Sequence, residues 1–314
     1  MFLMSQCPSA LEEIIKNQGC DVVRSDVEPG SPADLQMTVD TARAEQVRAV
    51  VLDGHRFTYQ FQASVKSADL AVVVLTDYVP SECYDADVLW NADLPIRKEM
   101  YSGSVNNLLL GPAYALLRRQ FVDFQVNPRV PATIGRNVLV SMGGSDPQHV
   151  TEPIVGALGG KDALHVRVIL GSSNANRTEI CEDKDQCANV EYLSDVKDMP
   201  IHMDWADLAI VAPGVALWEL LFMGVPTLCW PRYPEDFELV CELERAGAVI
   251  VLPRDLDPAR IGLLVDELAN DHSRRQRMSN VGRQLVDGRG AARVASAIVQ
   301  VARANARSEK ARAH

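Results

Sequence analysis

Long apolar runs, ligand-spaced cysteines and an excess of positive charge are all missing from this sequence. No stretch approaches the roughly 20 apolar residues needed to cross a bilayer, which excludes a helical membrane protein. The opening residues show no basic region followed by an apolar signal core, so a cytoplasmic protein is expected. Seven cysteines (Cys7, Cys20, Cys83, Cys181, Cys187, Cys229, Cys241) are odd in number and show no Cys-x-x-Cys or other metal-binding spacing. That pattern fits reduced thiols and calls for no metal. Lys and Arg total 31 against 42 Asp and Glu, a net charge of −11. With a pI near 5.1 the chain has no basic stripe to neutralise a nucleic-acid backbone. Its one cationic cluster, residues 303–312, reads as the solvated end of a helix.

The 314 residues are 47% hydrophobic and 23% charged, enough apolar material for a globular protein. A chain of this length suits two domains of about 130 to 170 residues each. Runs rich in Val, Ile and Leu recur at 49–52, 70–75, 106–110, 138–141, 166–170, 208–211, 227–230 and 249–252. Such near-continuous runs belong to parallel strands covered on both faces. Helical spacing alternates with them at 8–18, 32–45, 149–158, 216–223, 237–246 and 258–270. The alternation predicts doubly wound α/β domains. Residues 124–136 carry two prolines, polar residues and a glycine near their end, and mark the boundary. The expected division is an N-terminal domain over 1–128, a linker over 129–136, a C-terminal domain over 137–290, and a helix with a basic tail over 291–314.

The N-terminal half opens irregularly. Phe2-Leu3-Met4 reads as a short strand leading directly into the helix of Leu11, Ile14 and Ile15. A doubly wound domain ordinarily begins with a strand, a ligand-facing loop and a helix, and that first unit has no counterpart. A shortened start to the chain is one expectation; an apolar sheet edge at Phe2–Met4, covered by a second subunit in a homo-oligomer, is another.

In open parallel sheets ligands bind beyond the carboxyl ends of the strands. After the strand at 138–141 comes Gly143-Gly144-Ser145-Asp146, a glycine turn suited to cradle an anion, with a helix expected behind it whose free N–H groups would face a phosphate. After 208–211 comes Ala212-Pro213-Gly214, leading to Trp218-Glu219. Gly214 and the amides that follow suit a diphosphate, and Glu219 suits a vicinal diol because a carboxylate offers two acceptor oxygens. The alternative for Glu219 is a solvent-facing helical residue. After 227–230 the loop carries Glu235 and Asp236, either sugar-facing residues, with Asp236 also a candidate catalytic group, or, for Asp236, the cap of a helix starting at Phe237. His55, just after the strand at 49–52, is a candidate base because imidazole titrates near neutrality; otherwise it is a surface-loop residue. His149 reads as a first-turn helix residue beside the glycine turn.

Taken as a set, four segments resemble one family. They are Gly111 through Phe121 (GPAYALLRRQF), the Met-Gly-Gly-Ser-Asp-Pro turn, Ala206-Asp207-Leu208 onward to Gly214 and Trp218-Glu219, and Val286-Asp287-Gly288-Arg289-Gly290. The family is the UDP-2,4-diacetamido-2,4,6-trideoxy-β-L-altropyranose hydrolases of pseudaminic acid synthesis, with their spore-coat polysaccharide relatives. The resemblance implies two Rossmann-like domains in the GT-B glycosyltransferase arrangement, and cleavage of a UDP-sugar by water. It places Gly143, Gly144, Ser145 and Gly214 near the phosphates and Glu219 on the ribose. It puts Tyr114 and Arg118 near the cleft, Tyr114 as a candidate catalytic group and Arg118 as sugar-facing, and implies no cofactor. Two departures stand out. The family opens with Gly-x-Gly-His-x-x-Arg, which has no match here, and carries Asn-Gln where this chain has Glu235-Asp236. A glycosyltransferase with the same UDP-sugar donor site, or an inactive nucleotide-sugar-binding homologue, are the competing expectations.

Overall fold

The computed structural model describes residues 1–5, 9–77, 83–93, 98–124, 131–171, 173–174 and 187–312, without the side chains of Ala10, Glu235 and residues 307–312. The chain forms two compact units. The first comprises Met1–Asn91, Ile96–Leu110 and Ala292–His314; the second comprises Ala92–Pro95 and Gly111–Ala291. Residues 111–124, assigned on sequence pattern to the N-terminal half, therefore pack with the second unit. The expected linker stretch falls partly on residues 125–130, outside the described residues.

In the first unit, β3 (Ala49–Asp53), β4 (Ala71–Leu75), β5 (Tyr84–Asn91) and β6 (Gly103–Leu110) form one parallel sheet in chain order. A separate parallel pair joins β1 (Phe2–Met4) to β2 (Val22–Arg24). Helices α1 (Ser9–Asn17), α2 (Pro32–Ala44) and α3 (Tyr59–Ser67) fill the crossovers. The start of α3 is set by the Thr58 hydroxyl, which accepts from the Phe61 N–H. Phe61 and Val65 then bury against Val72, Val74, Ala86 and Leu89. Strand β5 escapes a sequence reading because Asp85 and Asp87 interrupt its apolar pattern. Each acidic residue has a tertiary partner: Lys66 donates to Asp85 at 2.7 Å, and Asp87 accepts from the Val72 N–H at 2.8 Å and from Asn106 at 3.0 Å.

The second unit holds six parallel strands in the order β12-β11-β10-β7-β8-β9. They are β7 (Asn137–Ser141), β8 (His165–Leu170), β9 (Val190–Ser194), β10 (Leu208–Val211), β11 (Thr227–Cys229) and β12 (Val249–Val251). Around them lie α4 (Arg119–Asp123), α5 (Thr151–Leu158), α6 (Met199–Trp205), α7 (Val215–Met223), α8 (Pro234–Arg245), α9 (Pro258–Asn270) and α10 (His272–Leu285). The helix α11 (Gly290–Arg312) follows. The core is continuous, running from Val138 and Val140 through Ile154, Leu158, Leu208 and Ile210 to Ile261, Val265 and Leu268. This is the doubly wound order in which the chain starts at a central strand, builds outward on one side, then returns to build on the other. The reversal falls between β7 and β10.

Helix α10 reads as polar around its circumference, and its placement rests on Arg275. That side chain is fully buried and donates through Nη1 to the Leu268 carbonyl at 2.7 Å and to the Ala269 carbonyl. Through Nη2 it reaches the Ala132 carbonyl at 2.5 Å and Thr133 at 3.3 Å. One guanidinium thus ties the end of α9 to the entry into β7, and burial draws its pKa below the usual arginine range. The neighbouring Gly282 allows α10 to press on α7, since a Cβ there would lie 2.9 Å from the Leu221 carbonyl oxygen. Arg275→Met, which keeps the bulk and removes the donors, is expected to cost about 3 kcal/mol by orphaning buried carbonyls. Thermal and urea unfolding followed by circular dichroism measure this, with Arg275→Lys falling between the two.

Candidate functional site

The reversal point between β7 and β10 is where a parallel sheet leaves a crevice, because the loops following those two strands run to opposite faces. Both loops carry the glycine-rich segments singled out above. Gly143, Gly144 and Ser145 follow β7 and stand partly to fully exposed, as do Gly214 and Val215 after β10. Gly214 precedes α7 with φ 141°, a backbone conformation that side chains of L-residues rarely adopt. Having no side chain, it cannot cap α7, and the first amides of that helix open onto the rim.

The expected helix behind the glycine turn behaves differently. Asp146 is only 6% exposed, and its carboxylate accepts from the Val150 N–H at 3.0 Å, the Thr151 N–H at 3.0 Å and the Thr151 hydroxyl at 2.6 Å. The amides leading into α5 are therefore occupied by the protein's own carboxylate, and are not free for a phosphate. His149 is exposed and sits in the turn ahead of α5 with φ 52°, instead of in the helix.

A cation lies against the glycine turn instead. A Cβ placed on Gly143 would lie 2.9 Å from Arg232 Nη2, so the guanidinium rests directly against the glycine turn. The same nitrogen donates to the Met142 carbonyl at 3.3 Å, and the guanidinium carbon stands 5.7 Å from the Tyr233 ring centre. Arg232 follows β11, the strand next to β10. The turn with Arg232 and the open start of α7 follow neighbouring strands of the sheet, and each is of a kind that favours an anion.

Glu219 lies one turn into α7 and is 0% exposed. Its two oxygens accept from Arg118 Nε and Nη2, each at 2.7 Å, a bidentate pair that raises the arginine pKa further. The Arg118 side chain remains 48% exposed, with its guanidinium carbon 5.2 Å from the ring centre of Phe121, itself fully buried. Segments 111–121 and 218–219, distant in sequence, are thus joined. A second joint brings Gly290 against Tyr114 and Ala115, where a Cβ would lie 2.2 Å from the Ala115 carbonyl oxygen. Tyr114 itself is half-buried in the turn Pro112–Tyr114.

The other candidates separate from this group. Asp236 accepts from the Tyr233 N–H at 2.8 Å in the first turn of α8, which starts at Pro234, three residues ahead of the expected Phe237. The Pro234 ring presets the helical φ, moving the start forward. The side chain of Glu235 lies outside the described residues. His55 belongs to the first unit, exposed, with Nε2 3.9 Å from Asp77 Oδ1. Among the described residues no cluster of three or more His, Cys, Asp or Glu side chains is disposed to hold a metal, and no helix is long and apolar enough to cross a membrane.

No family model matches the chain. It is 25% identical over 202 residues to an uncharacterized protein of Methanocaldococcus jannaschii, a match covering 61% of this chain and 41% of that one. It is 26% identical over 210 residues to the spore coat polysaccharide biosynthesis protein SpsG of Bacillus subtilis, covering 65% of this chain and 61% of the relative. The match thus spans about two fifths and three fifths of the length of these curated relatives. Among solved structures, MurG of Acinetobacter baumannii superposes with a TM-score of 0.64 at 16% identity, covering 95% of this chain and 90% of that one. The calicheamicin glycosyltransferase CalG4 gives 0.61 at 16% identity over 93% and 89% of the two chains. The UDP-GlcNAc 2-epimerase of Neisseria meningitidis, bound to UDP-GlcNAc, gives 0.64 at 11% identity over 95% and 90%. The fold is that of the GT-B glycosyltransferases, with two Rossmann-like domains.

Asp146→Ala is expected to lower stability by about 1–3 kcal/mol through loss of the cap and an orphaned Thr151 hydroxyl. Ser145→Ala, at an exposed neighbouring position, is expected to stay within about 0.5 kcal/mol of the parent. Differential scanning calorimetry of both variants checks the contrast.

Proposed function

We propose that the second unit binds a UDP-sugar and that the protein cleaves its anomeric C–O bond with water, releasing UDP and a 2,4-diacetamido-2,4,6-trideoxy sugar of the pseudaminic type. The observation that carries the nucleotide reading is that, at the strand-order reversal, Arg232 lies against Gly143 in the loop after β7 while α7 starts uncapped after the neighbouring β10. In the reaction the C–O bond breaks with its electron pair going to the β-phosphate oxygen, and a water oxygen bonds the anomeric carbon and loses a proton. Negative charge grows on the departing diphosphate. A fixed guanidinium and backbone N–H groups stabilise that charge more in the transition state than in the bound substrate. The similarity to SpsG supports a part in polysaccharide biosynthesis, and the sugar class rests on the motif resemblance of the sequence.

A second reading, transfer of the sugar to an acceptor hydroxyl or amine, is supported by the fold shared with CalG4. UDP release from a UDP-diacetamido-trideoxyhexose without any acceptor supports hydrolysis. Release only after an acceptor is added supports transfer, and nucleotide binding with no release under either condition identifies a binding protein. Arg232→Ala is expected to weaken UDP binding by about 10- to 100-fold while leaving the melting temperature near that of the parent, as one charge-assisted bond to phosphate is worth about 1.5–3 kcal/mol. Isothermal titration calorimetry with UDP measures it. Unchanged affinity would remove the rim from the nucleotide site.

A further inference from the structure

We infer, resting on the UDP-sugar reading above, that Tyr233 and Phe237 form an aromatic surface that meets the sugar and selects one whose C6 is a methyl group. Tyr233 stands ahead of Pro234, and the residue before a proline is confined to extended backbone, here φ −116° and ψ 160°. Its N–H donates to the Asp236 carboxylate at 2.8 Å, and its carbonyl accepts from the Asp236 N–H at 3.1 Å. The backbone that carries the ring is therefore fixed before any ligand arrives. Phe237 follows one turn later in α8, a helix that buries Leu239, Val240 and Leu243 instead. Both aromatic residues are 45% exposed, so two large apolar side chains are held in water side by side in the sequence of one rigid turn.

Position and chemistry point to the sugar. The Tyr233 ring centre is 5.7 Å from the Arg232 guanidinium carbon, and Arg232 Nη2 rests against Gly143. With the diphosphate on that guanidinium, a ring at this distance lies next to whatever the phosphate carries. On one side of the diphosphate the hexose is joined through its anomeric oxygen; on the other the uracil is held away by the ribose. Each hydroxyl that a hexose lays over an aromatic face loses water without gaining a partner. A 2,4-diacetamido-2,4,6-trideoxyhexose offers methyl groups at C6 and on both acetamides, and keeps a single free ring hydroxyl. Its C–H bonds carry the slight positive charge that the negative face of an aromatic ring attracts.

The discriminating experiment is calorimetric titration of the full chain with two UDP-sugar analogues in which a methylene group replaces the anomeric oxygen, so that neither turns over. One carries the 2,4-diacetamido-2,4,6-trideoxyhexose and the other its counterpart with a hydroxyl at C6; UDP is the reference. The parent is expected to bind the 6-methyl analogue about tenfold more tightly than the 6-hydroxymethyl one, the scale on which an apolar surface discriminates by one small group. Tyr233→Ala and Phe237→Ala are each expected to lower that ratio, and the two together to bring it toward one. Tyr233→Phe is expected to keep it, because the ring and not the hydroxyl makes the contact. The ratio is read on folded protein, so instability of a variant does not mimic the result. The assignment is overturned if the parent does not distinguish the analogues, if the double variant keeps the parent's ratio, or if Tyr233→Phe loses as much as Tyr233→Ala. A loss shared equally by UDP and both analogues places the rings under the base and overturns it too. Failure of the parent to bind UDP overturns the UDP-sugar reading itself, and this assignment with it.

Discussion

The reversal of strand order between β7 and β10 is the constraint on which the second unit depends. Crossovers between parallel strands are right-handed, so a chain that builds outward from one central strand in both directions must place successive helices on opposite faces of the sheet. The loops that leave the two central strands then diverge, and the edge between them is open with no need for any special residue. The residues at that edge decide what the opening does. Here they are two glycine-rich loops, an arginine from the next strand along and an uncapped helix start.

Buried charge is handled in three ways within this unit, and the differences separate scaffold from site. Asp146 is consumed by the backbone and hydroxyl groups leading into α5, an arrangement that stabilises a turn and offers nothing outward. Arg275 has carbonyls as its hydrogen-bond acceptors and joins α9, α10 and the entry to β7. Glu219 alone is paired with a group that is half in solvent. A buried ion pair adds little net stability over well-packed apolar residues, while removing one partner leaves the other uncompensated.

The comparisons converge on architecture from two directions. Sequence similarity reaches a polysaccharide biosynthesis protein at 26% identity, while structural similarity covers nearly the whole chain at 16% identity or less in the three solved structures described. Layer geometry survives such divergence because it depends on burial pattern, which many sequences satisfy.

The alternation of Val-, Ile- and Leu-rich runs with helical spacing was sufficient by itself to determine the α/β class and most of the parallel strands, because two-sided burial leaves a direct mark on composition. The same holds for the glycine turns, since only backbone freedom explains a Gly-Gly pair at a strand end. Tertiary structure alone decided the rest. Strand β5 and helix α10 carry polar residues whose partners, Lys66, Asn106 and the carbonyls around Arg275, lie elsewhere in the chain. Asp146 and Glu219 were visible as strand-end acidic residues, but whether a carboxylate faces a ligand or a protein partner depends on what is folded against it. Arg118 stands 101 positions from Glu219, and no local pattern records a pairing across that distance.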